Sequence, residues 1–78
     1  MDKINLTKMR AGTRGIVVKV DGGRGLVKRL DALGIRSGTK ITKVSSQLMR
    51  GPVTIALGNT RVAIGFGMAR KIIIELEQ

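Results

Sequence analysis

The sequence contains no cysteine and no histidine, and its only aromatic residue is Phe66. Disulfides are therefore excluded, as are the usual zinc sites and the nucleophile–base pairs that depend on these residues. Binding of single-stranded nucleic acid and recognition of polyproline segments both rely on several aromatic side chains, which one phenylalanine does not supply. These absences predict a binding protein that is not an enzyme and that carries no cofactor.

Length and apolar content predict a single domain that spans residues 1–78. With 78 residues, 42% of them apolar, the chain can build one modest core. The longest apolar runs, Ile16 to Val18 and Ile72 to Ile74, are far too short to span a membrane. The N-terminal segment is charged and has no stretch typical of a signal peptide, so we expect a cytoplasmic protein.

The chain is strongly basic, with 15 lysine and arginine residues against 5 acidic ones and a net charge of +10. A positive field of this size attracts nucleic acid, acidic proteins or the anionic inner surface of a membrane. The basic residues run evenly from Lys3 to Lys71 without a basic tail. The charge therefore does not choose among these partners, and solvated faces of a folded domain explain it equally well.

Alternation of apolar and polar residues predicts several strands. The first long strand runs from Arg14 to Val20, and its alternation places Ile16, Val18 and Val20 on one face and Val17 on the other. A short strand is expected near Leu6 as well. Four more strands are predicted farther along the chain, at 39–45, 53–57, 60–64 and 72–77.

Two local features of these later strands predict an irregularity and a turn. The spacing of Ile41 and Val44 breaks strict alternation and predicts a bulge or a strand end there. Gly58 and Asn59 separate two alternating runs and predict a two-residue hairpin turn.

Between the first two long strands the apolar period changes from that of a strand to that of a helix. Leu26, Leu30 and Leu33 lie at helical spacing, and Gly34 follows where a left-handed residue after the helix favours glycine. We expect a short helix whose leucine stripe docks on the strands, because a helix of this length is marginal alone. The whole pattern predicts an all-β fold, a small barrel that is closed or nearly closed.

The segment from Leu30 to Ile41 reads Leu-Asp-Ala-Leu-Gly-Ile-Arg-Ser-Gly-Thr-Lys-Ile. It resembles the central signature of the family of ferrous iron transport protein A, FeoA. The resemblance covers nearly the whole chain and rests on the order and spacing of four further segments: Leu6 to Gly15, Gly51 to Gly58, Val62 to Gly65 and Ala69 to Ile74.

The resemblance implies an SH3-like barrel with one short α-helix inserted after the first long strand. It also implies a cytosolic accessory of the membrane ferrous iron transporter, ferrous iron transport protein B, that contacts the transporter's GTP-binding domain. Ser37 stands where the family often has proline, and the high positive charge is a larger departure. The same fold occurs in iron-dependent repressors, but no helix-turn-helix precedes it in this sequence, so we do not expect a repressor.

The glycine-rich segment Gly22 to Lys28 lies between a predicted strand and the predicted helix, where backbone N–H groups could bind phosphate. It lacks the Gly-Lys pair of a P-loop and the third glycine of the dinucleotide fingerprint, so we interpret it as a tight turn. Glu75 and Glu77 share one strand face, which we interpret as solvated. Ferrous iron prefers imidazole together with carboxylate ligands, so we expect the protein to act on a transporter and not to carry the metal.

Two surfaces are candidates for binding the partner. In the loop after Ser45, Leu48 and Met49 are adjacent, and since neighbours in an extended segment face opposite ways, one of them is expected to be exposed. An exposed apolar side chain beside Arg50 is typical of a protein interface, although capping of the barrel explains both residues equally well. The second surface is the helix, which offers cations to an acidic partner: Arg24, Lys28 and Arg29.

Two functions stay open from the sequence. The first is binding and modulation of the transporter's GTP-binding region. The alternative is a small basic barrel that binds nucleic acid non-specifically through phosphate contacts, which need charge and little else.

Overall fold

The computed structural model describes residues 3–45 and 50–77. Within them the chain forms six strands, two α-helices and one short 3₁₀ turn. Their bounds, in chain order, are β1 Lys3–Asn5, the 3₁₀ turn Leu6–Lys8, β2 Arg14–Val20, α1 Arg24–Ala32, β3 Lys40–Ser45, β4 Val53–Leu57, β5 Thr60–Ile64, α2 Phe66–Ala69 and β6 Ile72–Leu76.

The six strands form one antiparallel sheet in the order β1-β6-β2-β3-β4-β5. The central strands pair with neighbours that are close in sequence, through the β2–β3, β3–β4 and β4–β5 ladders. After α2 the chain returns to the other end of the sheet, where β6 lies between β1 and β2. In the described part of the chain β1 and β5 do not pair with each other, so each is a terminal strand of the sheet.

The apolar core draws on nearly every element. The strands contribute alternating aliphatic residues, α1 contributes one leucine, and the 3₁₀ turn and the residue after it close one end. The buried residues form one cluster: Leu6, Met9, Val17, Leu30, Ile35, Ile41, Val53, Ile55, Ile64, Ala69, Ile72 and Ile74.

The alternation predicted for β2 holds from Ile16 to Val18 and is wrong at Val20, which packs toward the core together with Val17. Val17 is buried in the core, while Ile16 and Val18 are only half-buried. The pairing of β2 with β6 shifts its register between Val17 and Lys19. A bulge at this point adds one residue and reverses the alternation. Val17 before the bulge and Val20 after it therefore both pack toward the core.

The irregularity predicted within β3 is confirmed, since the β3–β4 pairing shifts between Lys43 and Ser45. The predicted hairpin turn is confirmed as well: β4 and β5 pair over five positions on either side of Gly58, which has φ +58°, and Asn59. In β6 the alternation is also as predicted, with Ile72 and Ile74 fully buried.

The helix lies where the apolar period predicts it, but only part of its leucine stripe is docked. Leu30 is fully buried and Leu26 packs partly against the core, whereas Leu33 is 41% exposed, so its predicted docking is wrong. The helix ends at Ala32, and Gly34 adopts the predicted left-handed conformation with φ +90°. This turn redirects the chain and brings Ile35 into the core, where the sequence pattern suggested Leu33.

Candidate partner-binding surfaces

The exposed side of α1 carries a cluster of cations. Arg24, Lys28 and Arg29, all predicted as contact residues, are exposed. Arg24 and Lys28 are four residues apart, so they lie on one face of the helix, and Arg29 lies roughly 100° farther round. The cap residue Gly23 supplies no side-chain hydrogen bond and the first turn has no acidic residue. The positive end of the helix dipole therefore adds to the charge of Arg24.

These cations have no internal counter-charge within the described residues. The ion pairs formed there are Arg14 with Glu77, at 3.6 Å, and Arg36 with Asp31, at 2.7 Å. Asp31 is the only acidic residue of α1, and Arg36, which follows the helix, already binds it. The outer face of α1 is thus a basic surface that remains available to an acidic partner.

The predicted loop surface is described only at Arg50. Leu48 and Met49 lie outside the described residues, so their exposure stays a prediction. Arg50 is exposed and has φ +63°, a left-handed conformation that residues other than glycine seldom adopt. It stands two residues before Pro52, at the entry to β4.

The exposure of two apolar residues, one on α1 and one at its C-cap, was not predicted. Val27 is 43% exposed and Leu33 is 41% exposed. At about 100° per residue they lie on opposite flanks of Leu30, each about 60° from it, so they do not merge into one apolar patch. Single exposed aliphatic residues are ordinary on folded domains. The exposed side of α1 is therefore distinguished by its charge and not by an apolar patch.

A shallow groove of about 300 Å³ crosses the surface where β2, β3 and the β4–β5 turn meet. Its one carboxylate, Glu77, is paired with Arg14, and Lys40 contributes a second cation. The groove offers polar contacts without a nucleophile–base pair. Its lining consists of Arg14, Lys40, Ile41, Thr42, Ala56, Gly58 and Glu77.

The described residues contain no group of three or more side chains of the metal-ligating types His, Cys, Asp and Glu. Of the two carboxylates predicted on one face of the last strand, Glu75 is half-buried and Glu77 is exposed and paired with Arg14. None of the helices within residues 3–45 and 50–77 has the length and apolar content needed to cross a membrane.

The most unusual side chain in the structure is Lys43, which was not singled out from the sequence. It is the one buried charged residue of the described chain, with 1% exposure. Its Nζ donates hydrogen bonds to the backbone oxygens of Leu6 at 3.2 Å, Thr7 at 3.2 Å and Met9 at 2.7 Å. Three acceptors match the three N–H donors of an ammonium group.

These acceptors are carbonyl groups of the 3₁₀ turn and of Met9, the residue that follows the turn as its C-cap. Carbonyl groups at a helix C-terminus carry partial negative charge, so a lysine there acts as a C-cap. Burial lowers the pKa of Lys43 from its ordinary value, because desolvation penalises the charged form. Lys43 thus ties the N-terminal segment to β3 and is a structural group and not an exposed contact.

The fold and its relatives define the class of this protein. A crystal structure described as iron uptake regulatory protein (FeoA) superimposes with a TM-score of 0.89 at 31% identity, over 99% of this chain and 100% of that one. A manganese-dependent transcriptional repressor superimposes with a TM-score of 0.87 over 96% of this chain and 42% of its own, at 18% identity, which shows a shared fold alone. The predicted SH3-like fold, with one helix after the first long strand, is confirmed.

Sequence comparison then gives the family. Residues 4–76 match the FeoA domain. A curated relative from Methanocaldococcus jannaschii, named "Putative Fe(2+) transport protein A", is 39% identical over 66 residues, which cover 85% of this chain and 78% of the relative. The chain belongs to the FeoA domain family, which is associated with ferrous iron transport and is not a known enzyme family.

Proposed function

We propose that this protein is a cytoplasmic accessory of ferrous iron uptake that binds and modulates the cytosolic GTP-binding domain of the ferrous iron transporter, ferrous iron transport protein B. The observation that carries this proposal is family membership over residues 4–76, almost the whole chain. The relative named for Fe(2+) transport supports the same pathway.

The surface of α1 supports a protein partner. Arg24, Lys28 and Arg29 form an exposed cationic face without an ion-pair partner in the described chain. Such a face accelerates association with an acidic surface more than it strengthens the final complex. The affinity then comes from apolar burial, for which Leu48 and Met49 remain the predicted contacts.

The composition supports action on a transporter over transport of the metal itself. The chain has no histidine and no cysteine, and ferrous iron favours imidazole with carboxylate. Equilibrium dialysis against ferrous iron tests this directly. Tight binding of one iron per chain would overturn this part of the proposal.

The first experiment is a titration of the purified GTP-binding domain with this protein, at low and at physiological salt. We expect saturable binding that persists at physiological salt, because an interface with an apolar centre is only partly screened. Leu48→Ala and Met49→Ala are each expected to weaken the complex. Absence of binding by the wild-type protein at both salt concentrations would refute the proposal.

A charge-matched pair of variants tests the role of α1. The double variant Arg24→Gln, Lys28→Gln removes two cations from the helix face. The control, Arg70→Gln, Lys71→Gln, removes two exposed cations elsewhere and gives the same net charge. We expect the helix variant to associate several-fold more slowly at low salt than the control, because steering depends on local potential. Equal rates would show that only net charge matters.

Non-specific binding of nucleic acid is the second candidate, favoured by the net charge of +10. A generic DNA duplex in the same titration decides it, because phosphate contacts release counterions and lose affinity steeply as salt rises. Vesicles with anionic lipid test the inner membrane surface in the same way. Salt-sensitive binding to DNA without binding to the GTP-binding domain would favour this candidate over the transporter.

A further inference from the structure

Strand β5 is a regular edge of the sheet. It occupies one end of the strand order and pairs with β4 through all five of its residues, without a register shift. The opposite edge, β1, has only three residues and runs directly into the 3₁₀ turn. Among the described strands, β5 therefore offers the longer and more regular terminal edge.

The hairpin turn determines which backbone groups of β5 face away from β4. Leu57 and Thr60 flank the two-residue turn and are paired with each other. In a two-residue hairpin this pair exchanges backbone hydrogen bonds, and hydrogen-bonded pairs then recur at every second position. Val62 and Ile64 are consequently also hydrogen-bonded to β4.

The intervening residues, Arg61 and Ala63, direct their N–H and C=O groups away from β4. No backbone hydrogen bond joins either residue to another described segment. Both residues are exposed, whereas Val62 is half-buried and Ile64 is fully buried in the core. The buried side chains fix the strand in place, and its outer row of donors and acceptors faces solvent.

We infer that the edge of β5 binds an extended acidic segment of a partner protein as an added strand. Unpaired edge strands are templates for such additions, in which main-chain hydrogen bonds supply affinity. Ala63 presents a small side chain that does not obstruct an approaching backbone. Strand β5 contains no proline, a residue that would remove a hydrogen-bond donor from the edge.

The charge of the chain selects an acidic occupant. Arg61 lies near the middle of the edge, is exposed and takes no part in the ion pairs of the described residues. An acidic residue opposite or diagonal to it on the added strand would be favourable. A second copy of this chain is disfavoured, because each copy carries a charge of +10 and each β5 brings its own Arg61.

This inference rests on the proposed function for the identity of the partner: the added strand would be an acidic segment of the transporter's cytosolic region. Amide hydrogen exchange of the labelled protein, measured by NMR with and without the GTP-binding domain, tests it. We expect exchange at Arg61 and Ala63 to slow by about tenfold or more on binding, since each gains a hydrogen-bonded environment. Thr60, Val62 and Ile64, already bonded to β4, should change much less.

Two substitutions at one position give a matched comparison. Ala63→Pro removes an N–H that faces solvent, a change that edge strands tolerate. Ala63→Thr keeps the N–H and has good strand propensity. We expect Ala63→Pro to weaken binding about tenfold and Ala63→Thr to stay within about twofold, because only the first loses a main-chain bond. If Ala63→Pro does not fold, the exchange pattern of the wild-type protein decides.

The outcomes separate the inference from the proposed function. Binding of the domain with protection confined to other residues would overturn edge addition and leave the proposed function standing. If the domain does not bind, the proposed function fails, and a synthetic peptide of alternating glutamate and valine becomes the probe. Protection of Arg61 and Ala63 by this peptide, and not by its lysine–valine counterpart, would support edge addition by an acidic segment. No protection by the acidic peptide would overturn it.

Discussion

Lys43→Met removes the ammonium group that ties the first turn of the chain to β3. Methionine keeps an unbranched side chain of similar size, so the change isolates the hydrogen bonds and the charge. Nζ donates to the oxygens of Leu6, Thr7 and Met9 at 3.2, 3.2 and 2.7 Å. Because Lys43 is only 1% exposed, water cannot readily take the place of its ammonium group as the donor to these oxygens.

Two opposing effects set the magnitude. A buried carbonyl that loses its donor costs about 1–3 kcal/mol. The oxygen of Leu6 also accepts from the N–H of Met9 at 3.2 Å, so its loss lies at the low end of that range. Methionine in turn avoids the cost of keeping a charge out of water, which offsets part of the loss. The net expectation is that the free energy of unfolding falls by about 2–3 kcal/mol.

Urea denaturation followed by far-UV circular dichroism measures this change, since the chain has no tryptophan or tyrosine for fluorescence. For a domain of this size the loss corresponds to a fall of about 10–20 °C in melting temperature. Lys40→Met is the control, because Lys40 is an exposed lysine on the same strand and should change stability by no more than about 0.5 kcal/mol. A Lys43→Met variant as stable as the wild type would refute the reasoning.

Three other perturbations have definite expected signs. Because burial lowers the pKa of Lys43 below its ordinary 10.5, the unfolded chain binds more protons between the folded-state pKa and 10.5, and the free energy of unfolding rises with pH there. The stability of the wild type relative to Lys43→Met in urea titrations should thus grow from neutral pH to pH 10.5; a decrease would mean that the carbonyl groups raise this pKa. Gly15→Ala puts a Cβ against Ile74 Cγ2 and 2.9 Å from the backbone oxygen of Glu75, so thermal unfolding should show a loss of about 1–3 kcal/mol. Gly25→Ala, within α1 and with nothing inside 4 Å of the new Cβ, should instead gain about 0.5–1 kcal/mol, and a loss would contradict the helix.

The positions of strands and turns could be predicted because alternation and glycine turns are local signals. The assignment of faces failed where the structure departs from strict periodicity. One residue added at the bulge after Val17 reverses the alternation of β2, and nothing in its aliphatic run marks that point. Leu33 was misplaced for a related reason, since the left-handed Gly34 ends the helical period and Ile35 enters the core.

The alternation of β3 predicts that the side chain of Lys43 points inward, but its residue type argues against burial. It lies two residues after Ile41 on β3, so strict alternation places both on the inner face. Lysine is almost never fully buried without partners, which argues against that reading when the sequence is considered alone. Its acceptors lie more than 30 residues earlier in the chain. The antiparallel pairing of β1 with β6 holds β1 beside the barrel. The 3₁₀ turn that follows β1 then brings the three carbonyl groups to Nζ.

The cationic face of α1 and the edge of β5 differ in how far each can be predicted from the sequence alone. The helical period alone predicts that Lys28 is exposed, because it lies far round the helix from Leu30. The sequence does not show that these cations lack a counter-charge. That depends on the fold, because the chain after the helix places Arg36 where it binds Asp31. The cationic face of α1 is therefore partly a sequence property and partly a consequence of how the chain leaves the helix.

Whether the outer edge of β5 is unpaired depends more strongly on the strand topology than on the local sequence. The Gly58-Asn59 turn already determines that Arg61 and Ala63 face away from β4. Whether that side is free depends on where the chain goes next. Because α2 follows at once, the last strand does not pair beside β5; it lies between β1 and β2 at the other end of the sheet. The same connection that completes the core at Ile72 and Ile74 thus leaves the backbone of β5 available to an added strand.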